Sequence, residues 1–231
     1  MPRELMILRH ANALPLASGE TDFERPLSAH GEQARTVVYV IDASGPMISS
    51  LSDVFAEVNR SVSALLPTQR FGVVLFRDAG DGQRTVMFDP ELREASARNR
   101  ELLRRWLAGI TATGRSNPMD GLRAALAFKP QVVFLLSRSI TRTGGGVWDV
   151  GPQTTLNELD RLNPILPAGP DGVKGRATLI KTIQFQEPDT TGVMQKIAEL
   201  HGGGGSRAAG AAQPPDGPAY RVLKREELQK R

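Results

Sequence analysis

The chain has no cysteine. That excludes a disulfide framework, a thiolate metal site and a cysteine nucleophile. Histidine occurs three times, at His10, His30 and His201, which leaves little for histidine-based metal or proton chemistry. Aromatic residues make up 5%, so Trp106 and Trp148 read as packing residues and not as ligand platforms. No apolar run is long enough to span a membrane. Charge of one sign is also scarce: 29 Lys+Arg against 25 Asp+Glu gives a net +4 spread along the sequence. Nucleic-acid binding wants a concentrated basic patch, and none is present. The start, MPRELMILRH, lacks the apolar stretch and small-residue cleavage site of a signal peptide, so the expectation is a cytoplasmic protein.

What is present suffices for one ample domain, or one domain with a short appendage. The chain has 231 residues, 40% of them hydrophobic and 23% charged. Its organising stretch is Val37 to Met47, VVYVIDASGPM. A β-branched and aromatic run too apolar for a half-exposed strand stops at a carboxylate followed by small residues. Such a run reads as a parallel strand covered on both faces. Asp42 and Ser44 then stand at the carboxyl end of that strand, where open α/β sheets place their sites.

From there the pattern alternates. A helix is expected over about 51–66, with Leu51, Val54, Phe55, Val58, Val62 and Leu65 on one face and Pro67 ending it. Strands are expected over 70–77 and, at an edge, over 84–88, with a polar turn between. A helix over about 92–107 should face the core with Leu102, Leu103, Trp106 and Leu107. Pro118 is placed to start a helix running to Phe128. Then follow a strand over 131–137, a loop at Gly144 to Gly146, a helix over about 154–162 and a loop over 164–175. A strand over 178–185 and a helix over 190–200 come next. Residues 202–218, rich in glycine, alanine and proline, read as a flexible loop. A last strand is expected over 220–223, and residues 224–231 form a charged tail. This alternation predicts a doubly wound, mostly parallel sheet in a three-layer α/β/α arrangement. Neither glycine run has the context of a phosphate-binding loop.

Residues 36–223 resemble a von Willebrand factor type A domain of the kind found in bacterial multidomain proteins. The residues that carry the resemblance are the strand ending in Asp42-Ala43-Ser44, the loop Thr113 to Asn117 and the strand ending in Leu136-Ser137-Arg138. The resemblance implies a metal-ion-dependent adhesion site: Asp-x-Ser-x-Ser, a Thr in a second loop and an Asp after a later strand, together holding Mg²⁺ or Mn²⁺. Asp42 and Ser44 match the first two ligands, and Ser116 takes the threonine position. Pro46 replaces the second serine and Arg138 replaces the last carboxylate. One carboxylate and two hydroxyls beside a guanidinium make a poor cage for a hard cation. The expectation is a degenerate site with at most weak Mg²⁺ or Mn²⁺ binding. In it Arg138 reaches Asp42 in a charge-assisted pair.

Residues 1–35 carry a second resemblance. Leu8-Arg9-His10-Ala11, followed by Asp22 to Ser28 and Gly31, are similar to the opening of the RHG-type histidine phosphatases, in particular the small phosphohistidine phosphatases. That likeness implies His10 as the phosphate-accepting nucleophile with Arg9 and Arg25 clamping the phosphoryl oxygens. The family's later arginine and second catalytic histidine should follow over the next hundred or so residues, and neither His30 nor His201 stands in the glycine–histidine context of that second histidine.

Two functions follow as expectations. The first is a protein-interaction module that meets a protein partner through Asp42, Ser44, Ser116 and Arg138. The alternative is a phosphohistidine or phosphoester phosphatase using His10. The abrupt change near Arg35 also suits a recombined gene in which residues 1–35 are a fusion remnant.

Overall fold

The computed structural model describes residues 36–78, 85–116, 118–138, 151–167, 174–185, 191–203 and 219–223. The phosphatase-like segment, the Gly144 to Gly146 run, most of the expected flexible loop and the charged tail lie outside the described residues.

In chain order the elements are β1 (Thr36–Asp42), α1 (Leu51–Ala64), β2 (Arg70–Phe76), β3 (Thr85–Met87), β4 (Arg93–Glu94) and α2 (Ala97–Ala108). They continue with α3 (Pro118–Ala127), β5 (Val132–Ser137), α4 (Gly151–Leu162), β6 (Leu179–Phe185), α5 (Val193–His201) and β7 (Tyr220–Leu223). The sheet runs β3-β2-β1-β5-β6-β7, with β4 also on β2. β1, β2, β5, β6 and β7 are parallel to their neighbours, and β3 and β4 pair antiparallel at the edge.

Alternation along β1 explains the layering. Val37, Tyr39 and Ile41 face a cluster that holds Val54, Phe55, Val58 and Val62 of α1 and Leu103 and Leu107 of α2. Val38 and Val40 face the opposite cluster, with Leu122 of α3, Leu159 of α4, and Met194 and Ile197 of α5. Successive strand residues point to opposite faces, so a strand apolar at every position requires helices on both sides. Tyr39 keeps its hydroxyl inside by sharing a 2.5 Å hydrogen bond with Ser61, and its ring stacks on Phe134. The fold is the expected doubly wound, mostly parallel sheet between two helical layers.

The differences have local causes. The helix expected from Leu92 starts at Ala97, because Ser96 accepts from the Asn99 amide as an N-cap. The residues before it pair with β2 as β4, and Leu92 packs over Gly72, where a Cβ would approach within 2.9 Å. Leu102, expected inward, is exposed, while Leu103 and Leu107 are buried. α4 begins at Gly151, ahead of the expected start near Thr154.

Candidate functional site at the carboxyl edge of the sheet

The carboxyl ends of β1, β2 and β5 and the loop after α2 meet around Asp42. Backbone hydrogen bonds stitch them together. The Ala43 amide donates to the Phe76 carbonyl and the Thr113 amide to the Ala43 carbonyl, each at 3.0 Å. The Gly45 amide donates to the Gly114 carbonyl at 3.0 Å, and Asp78 and Arg115 exchange amide–carbonyl bonds of 2.7 and 2.8 Å. Gly114 takes a φ of +73°, which favours glycine, and so turns this loop back toward β1. Pro46 sits in a short 3-10 turn, Gly45–Met47, that leads the chain to α1.

Asp42 is 2% exposed, and both of its oxygens are in use. Oδ1 accepts from the Ser44 amide at 2.9 Å. Oδ2 accepts from Ser137 Oγ at 2.7 Å and from Ser116 Oγ at 3.1 Å. No lysine or arginine pairs with it among the described residues. Burial pushes its carboxyl up from the ordinary value; the Ser137 and Ser44 hydroxyls, the Ser44 amide and the Ser116 hydroxyl offset part of that rise. The Ser44 hydroxyl acts through proximity, since its buried oxygen has no hydrogen-bond partner of proper geometry.

The structure brings Asp42, Ser44 and Ser116 together and corrects the expected Asp42–Arg138 pair. Arg138 Nη1 donates to the Pro46 carbonyl at 3.0 Å instead. The reason lies in strand register. Leu136 stands beside Ile41, so the residue next to Asp42 is Ser137, and its hydroxyl takes the carboxylate. Arg138, one residue on, points elsewhere by the alternation of an extended chain. Ser137 is the site residue the sequence reading missed. Its signal was two expected strands, one ending in Asp42 and the other in Ser137, whose adjacency the structure supplies. Gln184, fully buried at the end of β6, is a second: its Nε2 donates to the Arg138 carbonyl at 2.7 Å.

Around this serine–aspartate knot the described rim carries Arg77, Arg115 and Arg138, the half-buried Asp78 and the apolar Ile48. Arg115 is exposed, and Arg77 and Arg138 are half-buried. Arg77 Nη1 donates to the Thr111 carbonyl at 3.1 Å. Ile48 is 76% exposed, next to Met47 of the turn that carries Pro46. As a cation cage the donor set is thin: one carboxylate whose oxygens already accept three hydrogen bonds, plus neutral hydroxyls. The unpartnered Ser44 hydroxyl is the one feature that favours a bound ion. No group of three or more His, Asp or Glu gathers among the described residues. Mg²⁺ and Mn²⁺ want more charged oxygen than this, so the residues do not fit the ion.

Replacing Asp42 with Asn should raise stability near pH 7, because an amide removes a buried charge while keeping an acceptor. The sign follows from the raised folded pKa: Asp42 contributes most below its unfolded value near 3.8 and loses that contribution as pH rises. Denaturant titrations of both proteins should therefore converge on acidification. A large loss at pH 7 would refute the uncompensated-charge reading.

Of the other sequence candidates, His10, Arg9 and Arg25 lie outside the described residues. His201 is buried near the opposite edge of the sheet, beside Asn163 and Asp160. Trp106 packs on Phe88, with ring centroids 5.5 Å apart. No helix among the described residues is long and apolar enough to cross a membrane.

No family model and no curated protein matches this sequence. Solved structures do match in shape. A von Willebrand factor type A protein from Catenulispora acidiphila superposes with a TM-score of 0.51 at 15% identity, covering 77% of this chain and 38% of that one. The pilus adhesin SpaC from Lactobacillus rhamnosus GG gives a TM-score of 0.56 at 14% identity over 85% of this chain and 29% of its own. A mutant of the PilB minor pilin from Streptococcus sanguinis gives 0.54 at 13% identity over 93% and 64%. The chain thus spans less than two thirds of each of these proteins, and at such identities the likeness speaks for the fold alone. In fold, this chain is similar to von Willebrand factor type A domains, including those of bacterial pilus proteins.

Proposed function

We propose that this chain is a protein-interaction module that meets its partner through the carboxyl-edge loops without a metal ion. The observation that carries the reading is the placement of Arg138. Its guanidinium is tied to a carbonyl, not to a carboxylate, on a rim that also shows Ile48. An arginine held by one donor keeps others for a carboxylate of the partner, with bidentate geometry available. Arg115 adds an exposed cation on the same edge. Asp42, Ser44 and Ser116 form the floor beneath, and their mutual hydrogen bonds make that floor rigid without an ion. The fold likeness to domains of a pilus adhesin supports interaction in general and names no partner.

The test is site-specific photo-crosslinking at position 48 and, as a control, at position 129 on the opposite edge. The expected outcome is a discrete adduct at position 48 that survives a chelator and disappears in Arg138→Glu. Equal labelling at both positions, or loss of the adduct on chelation, would contradict the proposal.

A further inference from the structure

The hydroxyl of Tyr220 and the amide of Gln184 form the middle of a hydrogen-bonded line that crosses the sheet and ends at the rim. Tyr220 Oη lies 2.7 Å from Gln184 Oε1. Gln184 Nε2 donates to the Arg138 carbonyl at 2.7 Å, and Arg138 Nη1 donates to the Pro46 carbonyl at 3.0 Å. The line joins β7, β6, the end of β5 and the turn after β1.

Its direction is fixed by chemistry. A backbone carbonyl only accepts, so the amide nitrogen of Gln184 must face Arg138. The amide oxygen then faces Tyr220, whose hydroxyl must donate. Gln184 is fully buried, where an unpaired amide is costly, so both ends of the side chain are held. Register supports the same placement. Gln184 stands beside Ser137 on one side and Val222 on the other, and Tyr220 pairs with Thr182, two residues back on β6. The carbonyl so clamped belongs to the residue immediately after Ser137, whose hydroxyl holds Asp42.

We infer that Tyr220, acting through Gln184, is a positioning residue for Arg138, so that the docking of β7 sets the geometry of the carboxyl-edge rim. β7 is four residues long and, among the described residues, is the last strand of the sheet, paired with β6. Short edge elements occupy the low end of a protein's local opening energies. When β7 lifts away, the Tyr220 hydroxyl goes with it, and the Gln184 amide oxygen loses that donor. Arg138 then loses its fixed carbonyl. This coupling concerns the geometry of the rim and stands whether or not the rim binds a partner.

The experiment is amide hydrogen exchange with nitrogen–proton correlation spectra on wild type, Tyr220→Phe and Gln184→Met. Tyr220→Phe keeps the ring and removes one hydroxyl, so the fold should survive with a modest fall in Tm, the cost of one lost buried hydrogen bond. Exchange at Ser137 and Arg138 should rise about tenfold, the effect of one lost hydrogen bond, and the side-chain Nε–H resonance of Arg138 should move. Tyr220→Phe added to Gln184→Met should give no further change, because the line is already cut. Changes confined to residues 219–223, with Ser137, Arg138 and the Arg138 side chain as in wild type, would overturn the inference. Additive effects in the double variant would overturn it as well. Should Gln184→Met fail to fold, the Tyr220→Phe spectra alone decide.

Discussion

Acidification from pH 7 to pH 4 should remove about 3 kcal/mol of folding free energy through His201 alone. The imidazole is 1% exposed at the end of α5. Burial, and then the Arg176 guanidinium, push its pKa down from 6.5 to about 4, with Asp160 opposing. Nδ1 lies 3.3 Å from Asn163 Nδ2, a donor, so the ring accepts there and carries its proton on Nε2. Nε2 points toward Asp160 Oδ1 at 3.4 Å, beyond a good hydrogen bond, and Asp160 is already claimed by Arg176 at 2.7 Å. A proton added to Nδ1 would displace the Asn163 contact and put a second cation beside Arg176. The unfolded chain binds that proton near pH 6.5 and the folded chain refuses it until about pH 4. Across that window stability falls by about 1.4 kcal/mol per pH unit. Below about pH 4 both states are protonated and this loss levels off. Urea titrations at a series of pH values should show this slope in wild type and a flatter one in His201→Gln, where the amide oxygen still accepts from Asn163. Parallel curves for the two proteins would refute it.

Gly202→Ala should cost about 2–3 kcal/mol, with the damage centred on β7. Gly202 caps α5, and its amide donates to the Ala198 carbonyl at 2.8 Å. A Cβ there would collide with that same carbonyl and with the Cβ of Ala219, and would crowd the Ile180 carbonyl at 3.2 Å. Two of these neighbours are backbone and yield little, and overpacking of this kind costs on the order of 1–3 kcal/mol. The softest response is for Ala219 and the strand behind it to shift outward. Thermal unfolding should show the loss, and hydrogen exchange should place it at residues 219–223. Through Tyr220 and Gln184 the same variant should also loosen Arg138. A stability within about 0.5 kcal/mol of wild type would mean that the α5–β7 junction is more plastic than its packing indicates.

The layering of this fold was legible in the sequence because Val37 to Ile41 and Val132 to Leu136 are apolar at every position and Val54 to Val62 repeat at helical spacing. Those patterns need no tertiary information. Boundaries were harder where one residue decides. The helix was expected to start near Leu92, and only the fit of that side chain over Gly72 shows that it belongs to the edge of the sheet. At the site, the sequence marked Asp42, Ser44 and Ser116 and identified Arg138 as the residue that departs from the adhesion motif. The partner of Asp42 was misassigned because opposite charges suggested a pair, whereas register gives the position to Ser137. Gln184 and Tyr220 carried no local signal, since a buried amide becomes meaningful only once the carbonyl it reaches is known.

The central claim is that the carboxyl edge works as a hydrogen-bonded knot without a metal ion. Thermal unfolding of wild type and Arg138→Asp, each with a chelator and with millimolar Mg²⁺ or Mn²⁺, tests it most directly, because an ion that binds only the folded state must raise its stability. The expected result is an unchanged Tm in wild type and likewise in Arg138→Asp, because strand register turns position 138 away from Asp42 and toward the Pro46 carbonyl. A clear metal-dependent rise in wild type would contradict the account.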